Sequence, residues 1–81
     1  MTRYFFDLIN GDGPVADEQG LELASRAAIT REVGRILADI ARDELPEGQG
    51  AVQINVRDES GKPILAGCLT FKTEWLSQSD S

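Results

Sequence analysis

The chain has 81 residues, of which 41% are hydrophobic and 27% charged, and its formal net charge at neutral pH is −6. A chain of this length forms one domain that buries only about 60–65% of its unfolded surface, and so mixed a composition excludes a disordered protein. The acidic balance disfavours a general binder of nucleic acid or anionic membranes, because phosphate contacts need clustered Lys and Arg.

The residue types that are missing narrow the function further. No run approaches the 18 or so apolar residues that span a bilayer, and residues 1–4 do not begin a secretory signal, so we expect a cytoplasmic protein. The single cysteine, Cys68, cannot form an intramolecular disulfide. The chain contains no histidine, which excludes conventional catalytic triads and the usual zinc ligand. The sequence therefore assigns no catalytic residue and no cofactor.

The first predicted strand covers residues 3–9, which are mostly aromatic or branched. The Asn-Gly-Asp-Gly run at residues 10–13 tolerates positive φ, so we predict a hairpin turn there. A weak return strand follows at residues 14–17, with Pro14 limited to its first residue or to a sheet edge because proline cannot donate to a ladder.

An amphipathic helix is predicted from about Ser25, its N-cap, to about Leu45, where Pro46 stops it. At 100° per residue, five branched apolar side chains fall within an arc of about 100°. This stripe should face the core and consists of Ile29, Val33, Ile36, Leu37 and Ile40.

A second hairpin follows the helix. Residues 51–57 alternate strictly between apolar and polar side chains, so one face of this strand should meet water. Residues 58–62 form a turn, and residues 63–71 are apolar in both registers, which is typical of a central strand. The first strand is two-sided as well, so we expect the first and last strands to lie centrally in the sheet.

These elements predict an α+β fold of ββαββ order, in which a small, mostly antiparallel sheet packs against one amphipathic helix. We predict a single compact domain over residues 1–76 and a polar, flexible tail over residues 77–81.

Five short motifs in this order resemble one known family. They are Arg-Tyr-Phe-Phe at residues 3–6, the Gly-Asp-Gly turn, Asp-Glu-Gln-Gly at 17–20, an Ala-rich helix, and Val-Arg-Asp-Glu-Ser-Gly at 56–61. The chain resembles, up to about Phe71, a family of short proteins from rhizobia and related alphaproteobacteria that is catalogued as a domain of unknown function. The resemblance implies a stand-alone cytoplasmic protein and carries over no catalytic residue.

The acidic segment at residues 7–22 offers oxygen ligands for a divalent metal, with Asp12, Asp17 and Glu18 as the candidates. An EF-hand register that fits Asp12-Gly13 puts Leu8 and Gln19 at the two positions where carboxylates are required. The pattern therefore favours a solvated acidic hairpin over a metal site.

Two helical faces are candidates for binding. The first is a row of three arginines, Arg31, Arg35 and Arg42. This row could bind an anion or an acidic partner, or it could be an ordinary solvent-exposed face whose charges are paired. A neighbouring strip of small residues suggests a close approach to the backbone; its interface candidates are Thr30, Gly34 and Ala38.

One helix covers only one side of a sheet, and Phe5 and Ile9 put apolar side chains on the other. Either residues 14–24 and Trp75-Leu76 fold over this face, or the sheet pairs with a second copy. The surplus motivates the hypothesis of a homodimer, with Phe5, Ile9 and Trp75 as interface candidates and any other protein partner unknown. Cys68 lies within an apolar strand and is predicted to be a buried, inert thiol. We expect a non-enzymatic interaction or regulatory module; the alternative is a metal-binding or small-ligand protein, even an enzyme, that uses the acidic segment.

Overall fold

The computed structural model describes residues 1–10, 13–44 and 49–77. The elements within these residues follow in the order β1 (Thr2–Asn10), β2 (Gly13–Val15), β3 (Leu21–Leu23), α1 (Arg26–Glu44), β4 (Gln49–Arg57) and β5 (Pro63–Lys72). The predicted α+β fold is confirmed. The return strand is shorter than expected, and a further short strand, β3, precedes the helix. The predicted stop at Leu45 and Pro46 and the Gly11-Asp12 centre of the first turn lie outside the described residues, as do 78–81 of the predicted tail.

The described residues form one antiparallel sheet with the order β2-β1-β4-β5, and β3 also pairs with β1. β1 lies inside the sheet, as predicted, because β2, β3 and β4 pair with it, but β5 lies at an edge, so the expectation that the last strand is central is wrong. The polar face of β4 is partly exposed, in line with the prediction, and its side chains also find protein partners. Gln53 donates to Asn55 at 2.8 Å, and Arg57 donates to Asp7 on β1 at 2.8 Å.

The start of α1 is the predicted one. Ser25 caps it, because its hydroxyl accepts from the N–H of Ala28 at 3.1 Å and its carbonyl accepts from Ile29 at 3.2 Å. No helix in the described part of the chain is long and apolar enough to cross a membrane.

The core lies between α1 and one face of the sheet. Ile54 and Val56 of β4 are the most deeply buried, at 1% and 0% exposure. The helix contributes three buried side chains, Ile29, Val33 and Leu37, and β1 contributes Phe6. Two members of the predicted stripe, Ile36 and Ile40, are only half-buried. The core is therefore small, and it is centred on β4.

A glycine in β5 sets how closely the helix approaches the sheet. A Cβ added to Gly67 would lie 2.5 Å from Cγ1 of Val33, well inside van der Waals contact. Gly67 faces Ile54 across the β4–β5 ladder, so the helix rests at this point directly on the backbone of the edge strand.

We expect Gly67→Ala to destabilise the fold by about 1–3 kcal/mol, because Val33 is β-branched and cannot rotate away easily. In the Gly67→Ala/Val33→Ala double variant the new methyl group occupies vacated space, so the loss should be smaller than the sum of the single losses. Urea unfolding at a fixed protein concentration measures all three. Gly34→Ala is the matched control: a Cβ there meets nothing within 4 Å, so this change should stabilise by about 0.5–1 kcal/mol. Equal effects at Gly67 and Gly34 would contradict the packing described.

The β4–β5 turn has the predicted form. Asp58 Oδ1 accepts from the N–H groups of Ser60 and Lys62 at 2.9 and 3.0 Å, and the N–H of Gly61 donates to the Asp58 carbonyl at 3.0 Å. Gly61 has a φ of +89°, a left-handed conformation that favours glycine.

Candidate functional site

The acidic segment leaves the edge of β1 and returns to it. β2 pairs Val15 with Leu8, and β3 pairs Leu21 with Tyr4. Residues 16–20 therefore stand opposite only residues 5–7 of β1, and the ladder is interrupted. This is a bulged loop in the sheet edge, not a simple return strand.

Asp17 closes this loop with its carboxylate. Oδ2 accepts from the N–H of Phe6 at 3.1 Å, which replaces a missing ladder bond. Oδ1 accepts from the N–H groups of Gln19 and Gly20, both at 3.1 Å. Gly20 has a φ of +72°, and a Cβ there would lie 2.9 Å from Phe5 Cε2. The loop thus packs tightly over β1.

Arg57 of β4 joins this loop to the sheet. Its guanidinium donates to both oxygens of Asp7, at 2.8 and 3.4 Å, and to the Asp17 carbonyl at 2.9 Å. The N–H of Asp17 in turn donates to Asp7 at 2.9 Å. The guanidinium also lies 4.6 Å from the ring centre of Phe5, a cation–π distance. We call Asp7, Asp17 and Arg57 the charge cluster.

The charge cluster keeps its carboxylates ionised. Burial by itself would raise the pKa of Asp7, but the hydrogen bond from Arg57 and the N–H of Asp17 outweigh it, so this pKa lies below its ordinary value. Burial opposes ionisation of Asp17 as well, and the N–H groups of Phe6, Gly20 and Gln19 again lower its pKa. The hydrogen bond to Asp7 raises the pKa of Arg57.

The geometry of the charge cluster fits a role in folding. Both oxygens of Asp17 accept N–H groups of the chain, so this predicted metal ligand is already engaged. Glu18 is exposed, and Asp12 lies outside the described residues. Within the described residues, no group of three or more His, Cys, Asp or Glu side chains is arranged to hold a metal.

The helical arginines do not act as one row. Arg35 donates to Glu32 at 2.6 Å and to Asp39 at 2.9 Å, and Arg42 pairs with the same Asp39. Arg31 is exposed. Two of the three predicted anion-binding residues are therefore neutralised on the helix itself.

The small-residue strip of the helix faces outward. Thr30, Gly34 and Ala38 are exposed, so the sheet of this chain is not what approaches Gly34. Of the two apolar residues that motivated a dimer through the far face of the sheet, Phe5 is covered by Gly20 and Arg57, and Ile9 is half-buried. The apolar surplus on that face is smaller than expected.

Cys68 is exposed, and the prediction of a buried thiol is wrong. Alternation along β5 directs Leu65, Gly67 and Leu69 toward the helix and Ala66, Cys68 and Thr70 to the opposite face of the sheet, where the latter three are all exposed. The apolar run of β5 is therefore not evidence of a strand covered on both faces.

The side of β5 that faces away from β4, here called the β5 edge, is the least protected part of the sheet. β5 is 10 residues long, and no strand of the described residues pairs with this side. Residues 64–71 contain neither a charge nor a proline. Natural edge strands usually carry charges or prolines, because the unpaired N–H and C=O groups of an open edge can hydrogen-bond to a strand of another chain. The opposite edge is guarded, since β2 and β3 have only 3 residues each and the bulged loop separates them.

A pocket of about 330 Å³ opens between the start of α1 and the start of β5. Its apolar walls come from Tyr4, Ile29, Ile64 and Leu65, and exposed Arg26 and Thr30 border it. We call it the α1–β5 pocket. At the other end of β5, Trp75 and Leu76 follow the strand and are each 94% exposed.

Comparison with known proteins gives a family but no activity. No curated protein and no solved structure matches the chain significantly. Residues 3–70 match a domain of unknown function, DUF6894. The chain belongs to this family. The prediction that the chain belongs to a domain-of-unknown-function family is thereby confirmed, and any function of this DUF6894 protein has to be inferred from its geometry.

Sequence reasoning missed the charge cluster and the open edge. A signal for the cluster was present, because Asp7 is an acidic residue in the middle of an aromatic strand and must find a partner when half-buried. Its partner Arg57 is 50 residues away, and only the β1–β4 register brings them together.

Proposed function

We propose that this DUF6894 protein is a non-enzymatic protein-interaction module that pairs through its β5 edge, and that its partner is a second copy of the same chain. The observation that carries the proposal is the open edge of a 10-residue strand that has a proline and a lysine only at its two ends, Pro63 and Lys72. Unpaired N–H and C=O groups along such a strand gain hydrogen bonds when another strand is added.

Symmetry defines how two copies would meet. Two identical edges pair in antiparallel fashion around a two-fold axis perpendicular to the sheet. Residues that lie directly opposite each other in a ladder point to the same face of the sheet. This condition holds only if the axis lies between a residue and the same residue of the second copy. The largest overlap of β5 with itself places that residue at Gly67 or Cys68. Both helices then lie on the same side of one continuous sheet.

Burial along the edge supports this arrangement. Leu65, Leu69 and Phe71 are only half-buried within one chain, because the helix does not reach over the whole of β5. A second copy would bring its own β5 and helix against these side chains. The net charge of −6 opposes association, but residues 64–71 at the contact carry no charge, so the repulsion is spread over distant surfaces.

Disulfide trapping tests the proposal at the level of single residues. Two cysteines directly opposed across antiparallel strands have Cβ atoms about 4.5–5.5 Å apart, close enough to be joined. If the axis passes beside Cys68, this residue opposes its own counterpart, and mild oxidation of the wild type should yield a covalent dimer. If the axis passes beside Gly67, residues 66 and 68 of the two copies are opposed, and Ala66→Cys, which keeps Cys68, should yield the covalent dimer instead.

Ala51→Cys/Cys68→Ser is the matched control, since Ala51 is equally exposed but lies on β4. It should remain monomeric on a non-reducing gel. Equal trapping of this control and of the β5 cysteines would indicate random collision, and no trapping on β5, with a monomer by light scattering, would refute edge pairing.

A further inference from the structure

Trp75 and Leu76 are each 94% exposed, and no described residue of their own chain covers them. The α1–β5 pocket lies at the other end of β5. Residues 64 and 72 are separated by about 26 Å along an extended strand. Trp75 therefore cannot fill the pocket of its own chain without β5 being rearranged.

The antiparallel pairing of two β5 edges brings these features together. With the axis beside Cys68, Trp75 of the partner subunit lies opposite residue 61; with the axis beside Gly67, it lies opposite residue 59. Both positions belong to the β4–β5 turn at residues 58–62. Asp58 at the start of this turn and Ile64 just after it both line the pocket. In either register, the partner's Trp75 therefore lies at the opening of the pocket.

We propose that the Trp75–Leu76 segment of each copy occupies the α1–β5 pocket of the other, so that each subunit completes a site in its partner. This inference rests on the proposed pairing of β5 edges. The occupant matches the walls, since Tyr4, Ile29, Ile64 and Leu65 offer apolar and aromatic contact to an indole ring. Arg26 at the border can lie over the ring face, and the Asp58 carboxylate can accept the indole N–H.

The chain has one tryptophan, so its fluorescence reports this segment alone. In the dimer we expect emission at shorter wavelength and protection from iodide quenching, and both should disappear on dilution to the monomer. A buried tryptophan anchor commonly dominates an interface, so Trp75→Ala should raise the dimer dissociation constant at least about tenfold. Disulfide trapping through β5 should persist in this variant at higher concentration.

Filling the pocket separates this inference from the pairing of edges. Thr30→Arg places a long charged side chain at the border of the pocket, and it should return the emission of a disulfide-trapped dimer to that of the monomer. Ala27→Arg is the control, because it adds the same charge to an exposed position that does not line the pocket. It should leave the blue shift unchanged.

The outcomes are distinguishable. A dimer trapped through β5 whose tryptophan is as accessible to iodide as in the monomer would overturn the docking of Trp75 and leave edge pairing intact. A monomer at every concentration would overturn both. A blue shift that Thr30→Arg and Ala27→Arg affect equally would place Trp75 elsewhere and would also overturn the inference.

Discussion

Asp17→Ala is expected to destabilise the fold by about 2–4 kcal/mol, because the change leaves three backbone N–H groups without their charged acceptor. These are the N–H groups of Phe6, Gln19 and Gly20. The domain is small, so a loss of this size is a large part of its free energy of unfolding. Urea unfolding measures it. Glu18→Ala is the matched control, since Glu18 is adjacent and exposed, and it should change stability by less than about 0.5 kcal/mol.

The dependence of stability on pH tests the same variant in a second way. The pKa of Asp17 is lowered on folding from its ordinary value of 3.8, so the ionised carboxylate contributes stability that is fully present above that value. This contribution is lost as the pH falls through the lower, folded-state pKa. Asp17→Ala lacks it, so the difference in stability between wild type and variant should shrink below about pH 4. A difference that does not depend on pH would contradict an ionised Asp17 as the acceptor.

Cys68→Lys/Thr70→Lys is expected to raise the dissociation constant of the dimer at least about 100-fold, which corresponds to about 2.7 kcal/mol. Lysine is common at natural sheet edges, where it disfavours pairing, and near the two-fold axis the new charges of the two copies lie close to one another. Both positions are exposed in the single chain, so the monomer should unfold at nearly the same urea concentration as wild type. Sedimentation velocity over a range of concentrations measures the dissociation constant.

The neutral control for this pair is Cys68→Ser/Thr70→Ser, which keeps the size of both side chains and adds no charge. It should dimerise as the wild type does. If the lysine pair and the serine pair had the same dissociation constant, association would have to use another surface, and the exposed helix strip with Gly34 would be the first to examine.

Local patterns were sufficient to predict the elements. Ser25 caps the helix as its position suggested, Ile29, Val33 and Leu37 form the buried stripe, and Asp58 organises the second turn. Each of these features depends on residues close together in sequence, where spacing and side-chain chemistry determine the outcome. The α+β class follows from their order.

The order of the strands could not be predicted in the same way. The apolar residues in both registers of β5 suggested a central strand, but Ala66 and Cys68 are small enough to lie exposed on an edge. The polar register of β4 correctly suggested a face that meets water, but it did not predict that Arg57 pairs with Asp7 from β1. Burial of a polar residue depends on whether a distant partner reaches it, and no local pattern contains that information.

Prediction of the candidate sites was limited for the same reason, because the sites depend on residues that are distant in sequence. Asp17 is conspicuous as a carboxylate, yet its oxygens are committed to N–H groups that only the bulged loop brings together. Trp75 was an interface candidate, and it is 94% exposed. The pocket that suits it is built from β1, α1 and β5, and strand pairing between two chains was needed to connect them.

Sedimentation equilibrium of the wild-type chain tests the central claim most directly, because edge pairing requires a defined dimer. The account predicts a concentration-dependent mass that rises from the 8.8 kDa of one chain to twice that value and no further, since a two-fold edge contact is closed. A mass that stays at one chain at the highest attainable concentration would contradict the account.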